Sequence, residues 1–308
     1  MIASIFADVS SFADRFAAVD GRFLFAALVL QVANLGLRSL AWRNVIAAAH
    51  PRARVSHASI AGAYVAGVGL NTFTPGRAGE AVKVFLARRR VQGSSVATLG
   101  AALSLVLLFD ALVGGTLVAV LWATGTAPGV PSPTPMMIAA GLVAVTSVST
   151  ALVVGARRST RIRGFLSGAW SGLAVLRTPT RYVRTVAVFQ LGAWACRIGV
   201  VLFVLMAFGI TPTLAAAVLV LVAGGLSTAV PVPGGGGTQQ LLVAYALHRT
   251  ASVGAVLSFS IGMQAGVALV NTLVGLTALM LMFRTLAPGA AVRLARSAAR
   301  DAGRQAQV

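Results

Sequence analysis

The sequence predicts an all-α, polytopic helical membrane protein with two inverted-topology repeats, each a span, a broken hairpin and a second span. Three observations predict it. The 308 residues are 57% hydrophobic and 10% charged, with a mean hydropathy of +0.88, which nearly excludes a soluble fold. The apolar residues fall in runs of the roughly 20 positions a helix needs to cross a bilayer. The 25 basic residues, all arginine except Lys83, gather between those runs and face only six acids. A formal charge of +19 would suggest nucleic acid, but that binding needs a basic folded surface. Arginines between apolar runs read instead as topology signals, so no nucleic-acid partner is expected. Cys196, the single cysteine, excludes a disulfide framework. His50, His57 and His248 are scattered without metal-ligand spacing, so neither a metal nor another cofactor is expected.

The elements follow in order along one transmembrane domain, 1–308. Residues 1–22 place Ile2, Ile5, Phe6, Val9, Phe12 and Phe16 at helical spacing among Asp and Ser, which suits a helix lying in the interface. No basic n-region precedes it, so a secretory signal is not expected. The first repeat, 23–124, holds an apolar run at 23–42, a stretch at about 58–90 broken by Pro and Gly, and a run at 95–124. The linker, 125–185, opens on a loop with four prolines, 126–135. It continues through an apolar run at 136–156 and an arginine-flanked interfacial helix at 164–176. The second repeat, 186–283, has runs at 186–209 and 253–283 around a broken stretch at 214–248. A basic tail, 284–308, ends the chain.

Arginine density orients these pieces. Four arginines fall in 38–54, four with Lys83 in 77–90, seven in 157–184 and five in 284–304, so these segments are expected at the cytoplasmic face of an inner membrane. Loops 125–135 and 209–213 carry none and face outward. Five crossings then put the amino terminus outside and the carboxyl terminus in the cytoplasm. Each broken stretch returns to the side it left, one from the cytoplasm and the other from outside, and whether each is re-entrant or crosses twice stays open. The polar tip at 71–77 favours a turn inside the protein.

The two tips share P-G-x-x-G, as Pro75-Gly76-Arg77-Ala78-Gly79 and Pro233-Gly234-Gly235-Gly236-Gly237. With 11 Pro and 33 Gly, about 0.13 such matches are expected by chance, so two at corresponding places carry information. Arg38 lies 37 residues before Pro75, and Arg197 lies 36 before Pro233. Paired Gly/Pro-broken segments in inverted halves point to a transporter site near the bilayer midplane.

The stretch from Asn71 through Pro75-Gly76-Arg77, Gly79-Glu80 and Lys83 to Arg88-Arg89-Arg90, with Pro231-Val232-Pro233 and its glycines, resembles the two signature regions of the flippase-like integral membrane proteins related to the transmembrane region of lysylphosphatidylglycerol synthase. Leu37-Arg38 through Trp42-Arg43 is similar too, so the resemblance covers most of the chain. The second region departs from P-G-G-x-G-x-R-E, with Gln239 and Gln240 at the charged positions, and Val106-Leu107 stands where Glu-Arg precedes the Asp of the third span. No soluble acyltransferase domain is expected beyond residue 308, so the resemblance implies the flippase-like part without the lipid-modifying enzyme.

A charge at the bilayer centre costs about 2.5–3.5 kcal/mol on insertion scales, so Arg38, Glu80, Lys83, Asp110 and Arg197 need partners or a wet cavity. Arg38 either snorkels to the cytoplasmic face or serves a site. Arg197, deep in its span, points to a cavity or an ion pair. Glu80 and Lys83, three apart, either pair or take part in binding, with Glu80 expected to balance Arg77 or Arg38. Asp110 is a helix–helix hydrogen-bonding residue or a lesser site residue. Backbone N–H groups opening helices at 76–80 and 234–238 can hold a phosphate, with Arg77 adding a fork and Gln240 nearby, the alternative being that the glycines merely let helices pack tightly. No nucleophile–base pair, carboxylate pair or Walker motif is present, so no catalysis is expected. The expectation is a flippase-like transporter of an anionic lipid or lipid-linked head group. The alternative is a non-transporting accessory protein that binds lipid or a partner, for which a lipid-modifying or cell-envelope enzyme is the candidate.

Overall fold

A computed structural model describes residues 18–72, 78–126, 160–227, 237–247 and 251–283, and among these the chain is helical with no strand. Helix α1 (Gly21–Ala49) opens on Asp20, whose carboxylate accepts the Arg22 N–H at 2.9 Å. It runs seven residues past the expected end at Trp42. The polar residues there find partners on other elements, Arg43 Nε donating to the Val55 carbonyl and Asn44 Nδ2 to the Thr185 carbonyl. Helices α2 (His57–Asn71) and α3 (Ala78–Arg88) form the first broken stretch. Helix α4 (Val96–Ala123) is capped by Ser95 Oγ, which accepts the Thr98 N–H, and ends on Gly125 at φ +65° with Thr126 N–H bonded back to Leu121 O.

Helix α5 (Thr160–Gly172) begins four residues before the expected 164 and tightens into a 3₁₀ turn at Ala174–Arg177. Helix α6 (Pro179–Ala207) starts at a proline, seven residues earlier than the apolar run, and contains one widened turn at Val183–Ala187. The Thr185 carbonyl in that turn is the one that Asn44 satisfies. Helices α7 (Leu214–Ser227) and α8 (Thr238–Leu247) form the second broken stretch, and α9 (Val253–Phe283) follows. The run at 136–156, the loop 127–135, residues 1–17 and the tail 284–308 lie outside the described residues.

Among the described residues, four helices are long and apolar enough to cross a membrane, α1, α4, α6 and α9. The arms of the broken stretches are 15, 11, 14 and 10 residues long. At 1.5 Å per residue none of them reaches the roughly 30 Å of a hydrocarbon core.

Contacts fix the relative directions. Leu30 and Leu37 of α1 lie against Gly199 and Gly192 of α6, and Asp20 N–H bonds to the Ala207 carbonyl, so α1 and α6 are antiparallel. Gln190 Nε2 donates to the Val106 carbonyl and Trp194 reaches Asp110, so α4 and α6 run parallel. Leu28 sits by Gly266 and Gln31 by Asn271, so α9 runs with α1. The first and second long helices of the chain's opening half thus point down and up, and those of the closing half up and down.

Two apolar clusters flank the middle of the bundle. One gathers Trp42, Ile46, Ile60, Tyr64, Leu99, Val106 and Leu279 around α2 and α3. The other gathers Ala27, Val204, Leu205, Val220, Val243 and Phe259 around α7 and α8. Helix α1 serves both, with Ala27 in the second and Leu35 to Ile46 in the first. Phe25, Leu112, Leu241 and Leu281 stand exposed on the outer surface, as lipid-facing side chains do.

Candidate functional site

A chain of charges links five of these helices. Arg38 of α1 sits 17 residues from Gly21 and 11 from Ala49. Asp110 of α4 sits 14 from Val96 and 13 from Ala123. Arg197 of α6 is 10 residues from Ala207. At 1.5 Å per residue each is at least about 15 Å from the nearest end of its helix. Charges at that depth persist where they meet one another. Arg38 Nη2 lies 2.5 Å from Asp110 Oδ2, and Arg197 Nη1 lies 3.6 Å from Oδ1. Trp194 Nε1 donates to the same Oδ1 at 3.0 Å, and the Arg197 guanidinium stacks 4.5 Å from the Trp194 ring. Trp194 and Arg197 are three apart on α6, a spacing that puts both on the face toward Asp110. Arg38, Asp110 and Arg197 together sum to one positive formal charge.

Tyr64 of α2 carries the chain onward. Its hydroxyl accepts Arg38 Nε at 2.6 Å, and its ring lies 4.2 Å below the Lys83 ammonium of α3. Lys83, only 3% exposed, bonds both Glu80 carboxylate oxygens at 2.8 and 3.0 Å. Glu80 Oε1 also accepts Asn71 Nδ2 at 3.0 Å, and Asn71 Oδ1 accepts the Gly79 N–H at 2.7 Å. A Cβ on Gly79 would overlap the Gly67 carbonyl and the Asn71 amide, so glycine is what lets α3 close against α2. The polar chain therefore runs from α6 through α4, α1 and α2 to α3.

This placement sorts the sequence expectations. Arg38 does not snorkel; it turns inward, because Asp110 and Tyr64 offer both partners within the bundle. Glu80 pairs with Lys83 and Asn71 instead of balancing Arg38. The Gly79 N–H at the start of α3 is already engaged by Asn71. Gly237 differs from Gly79: nothing among the described residues comes within 4 Å of its would-be Cβ, and its φ of +79° is what requires glycine. Gln240 donates to Gln264 of α9. Pro75, Gly76, Arg77, Pro233, Gly234 and Gly235 lie outside the described residues.

Sequence reasoning offered Asp110 as a helix–helix hydrogen-bonding residue or a lesser site residue, and it did not single out its partner Trp194 or Tyr64, which links Arg38 to Lys83. For Asp110 a signal was available, since it is the one acid inside a 28-residue apolar helix. For Tyr64 and Trp194 none was, because an aromatic residue in an apolar run looks like ordinary packing.

Long apolar helices around a buried charge network define a multi-pass α-helical membrane protein with a polar site inside its membrane-spanning region. The chain belongs to the family of the lysylphosphatidylglycerol synthase TM region, matched over residues 1–275. No curated protein and no solved structure matches it.

Proposed function

We propose that this protein binds the head group of an anionic lipid or lipid-linked intermediate at the mid-membrane charge network and translocates it by alternating access, acting as a carrier and not as an enzyme. The observation that carries this reading is the network of Arg38, Asp110 and Arg197, three charges on three helices at mid-depth whose sum is positive. A phosphate is the natural complement of two converging guanidinium groups. Family membership supports a role in lipid handling. The opposed helix directions of the two halves support an inverted repeat, 23–124 against 186–283, with the linker between. The short arms of the two broken stretches support re-entrant hairpins entering from opposite faces. Arginine density supports an inner-membrane orientation with the amino terminus outside and the carboxyl terminus in the cytoplasm.

The test is a leaflet-protection assay in liposomes carrying the purified protein and a fluorescent anionic phospholipid. Protection is lost faster than in empty liposomes, and Arg197→Ala slows the loss with about ten-fold weaker head-group affinity, the worth of one charge-assisted hydrogen bond. Liposomes that bind the lipid yet translocate none under any gradient select the accessory reading instead, with a membrane enzyme as partner.

A further inference from the structure

Among the described residues, Tyr64 alone makes a polar or ring contact with both Arg38 and Lys83. Its hydroxyl accepts Arg38 Nε at 2.6 Å, and the Lys83 ammonium lies 4.2 Å from its ring centroid. Lys83 has three N–H groups. Two go to the Glu80 oxygens, and the ring face takes the third. At 3% exposure the ammonium has little water to replace any of them. The Tyr64 hydroxyl has one hydrogen of its own to give, for which the described residues offer no acceptor. The side chain is 2% exposed and packs on Trp42 at 6.1 Å between ring centroids, so hydroxyl and ring shift as one packed unit.

We propose that Tyr64 is a positioning residue that transmits anion capture at Arg38 to the α2–α3 pair, loosening the pair when a phosphate arrives. The inference rests on the lipid-binding reading above and names how that site moves the carrier. A phosphate drawn to the Arg38 guanidinium competes for the N–H that Tyr64 accepts, and it is also the acceptor that the Tyr64 hydrogen lacks. The hydroxyl then turns from accepting Arg38 to donating toward the phosphate, and the ring shifts beneath Lys83. An ammonium that loses its ring face keeps an unmatched N–H in a buried place. That cost falls on the closed α2–α3 pair alone, so the open form gains weight. Closure itself rests on Asn71, whose amide joins Glu80 Oε1 to the Gly79 N–H, and on Gly67, where a Cβ would strike the Lys83 side chain.

The experiment follows hydrogen–deuterium exchange across residues 78–88 of the full chain in phosphatidylcholine nanodiscs, with and without phosphatidylglycerol, beside the binding of a fluorescent phosphatidylglycerol. In the wild type the anionic lipid speeds exchange at Gly79 to Lys83 about ten-fold, the worth of one hydrogen bond. Tyr64→Phe folds, because its ring keeps its places under Lys83 and against Trp42. It binds the fluorescent lipid within about three-fold of wild type, since Asp110 still holds Arg38, while its exchange no longer responds to the lipid. Glu80→Gln combined with Lys83→Met removes the ammonium that the ring seats, and exchange is then equal in both membranes. Exchange in Tyr64→Phe that still rises with phosphatidylglycerol, or binding lost in step with the response, overturns the coupling and leaves the anionic-lipid reading standing. A lipid response that survives in the double variant overturns it as well. A wild type that binds the lipid without a change in exchange overturns the coupling alone, and one that binds neither phosphatidylglycerol nor cardiolipin overturns both.

Discussion

Arg38 and Arg197 approach one carboxylate from two different helices, so removal of Asp110 leaves two guanidinium groups facing each other without compensation. Asp110→Ala is expected to lower stability by about 3–5 kcal/mol, the range for breaking a buried pair from one side. Thermal unfolding in detergent measures it. Arg38→Met combined with Asp110→Ala is expected to cost less than the sum of the single changes by about 1–3 kcal/mol. Additive losses would mean that the 2.5 Å contact carries no coupling. At this scale the sequence was readable where partners are close in number. Glu80 and Lys83 could be paired from their i, i+3 spacing alone. The Arg38–Asp110 pair joins positions far apart in the chain, and no local pattern announces it.

The two broken stretches look alike in sequence, yet their glycines answer different needs. Gly79 is a matter of room, since its Cβ would strike the Gly67 carbonyl. Gly237 is a matter of backbone conformation at φ +79° with open space around it. Gly79→Ala is therefore expected to open the α2–α3 pair and destabilise it severely, read as loss of folded protein by size-exclusion chromatography. Gly237→Ala is expected to cost about 1–2 kcal/mol, the usual penalty for a side chain at positive φ. Gly93, at φ +71° with nothing within 4 Å, is the control, and Gly93→Ala should resemble Gly237→Ala. If Gly79→Ala costs no more than Gly93→Ala, the close approach does not matter. Helix existence was legible from run length, because crossing a bilayer sets a minimum. Helix ends were not, since α1 extends to Ala49 on the strength of Val55 and Thr185, partners that only the folded chain brings near.

Across the whole molecule the opposed directions of α1 and α6 make orientation testable. In a Cys196→Ala background, Thr126→Cys is expected to react with an impermeant thiol reagent in intact cells. Arg52→Cys and Ser167→Cys should react only after permeabilisation. All three positions are exposed. Labelling of Ser167→Cys from outside would reverse the proposed sidedness. The all-α class and the long apolar helices could be read from composition and hydropathy. Which helices embrace could not, because every apolar face in a lipid-soluble chain resembles every other, and small residues select the partners instead.

Leu30 and Leu37 are seven residues apart on α1, and so are the two glycines they cover, Gly192 and Gly199 on α6. Such a seam works like a pair of studs in matching sockets. A slip of one turn along it would lift both leucines from their seats onto flanking side chains at once, so α1 and α6 are held to a single register and behave mechanically as one strut. In the carrier proposed above, any stroke has to be made by what is hung on that strut, the paired short helices on either side, while the arginines it bears stay fixed in depth.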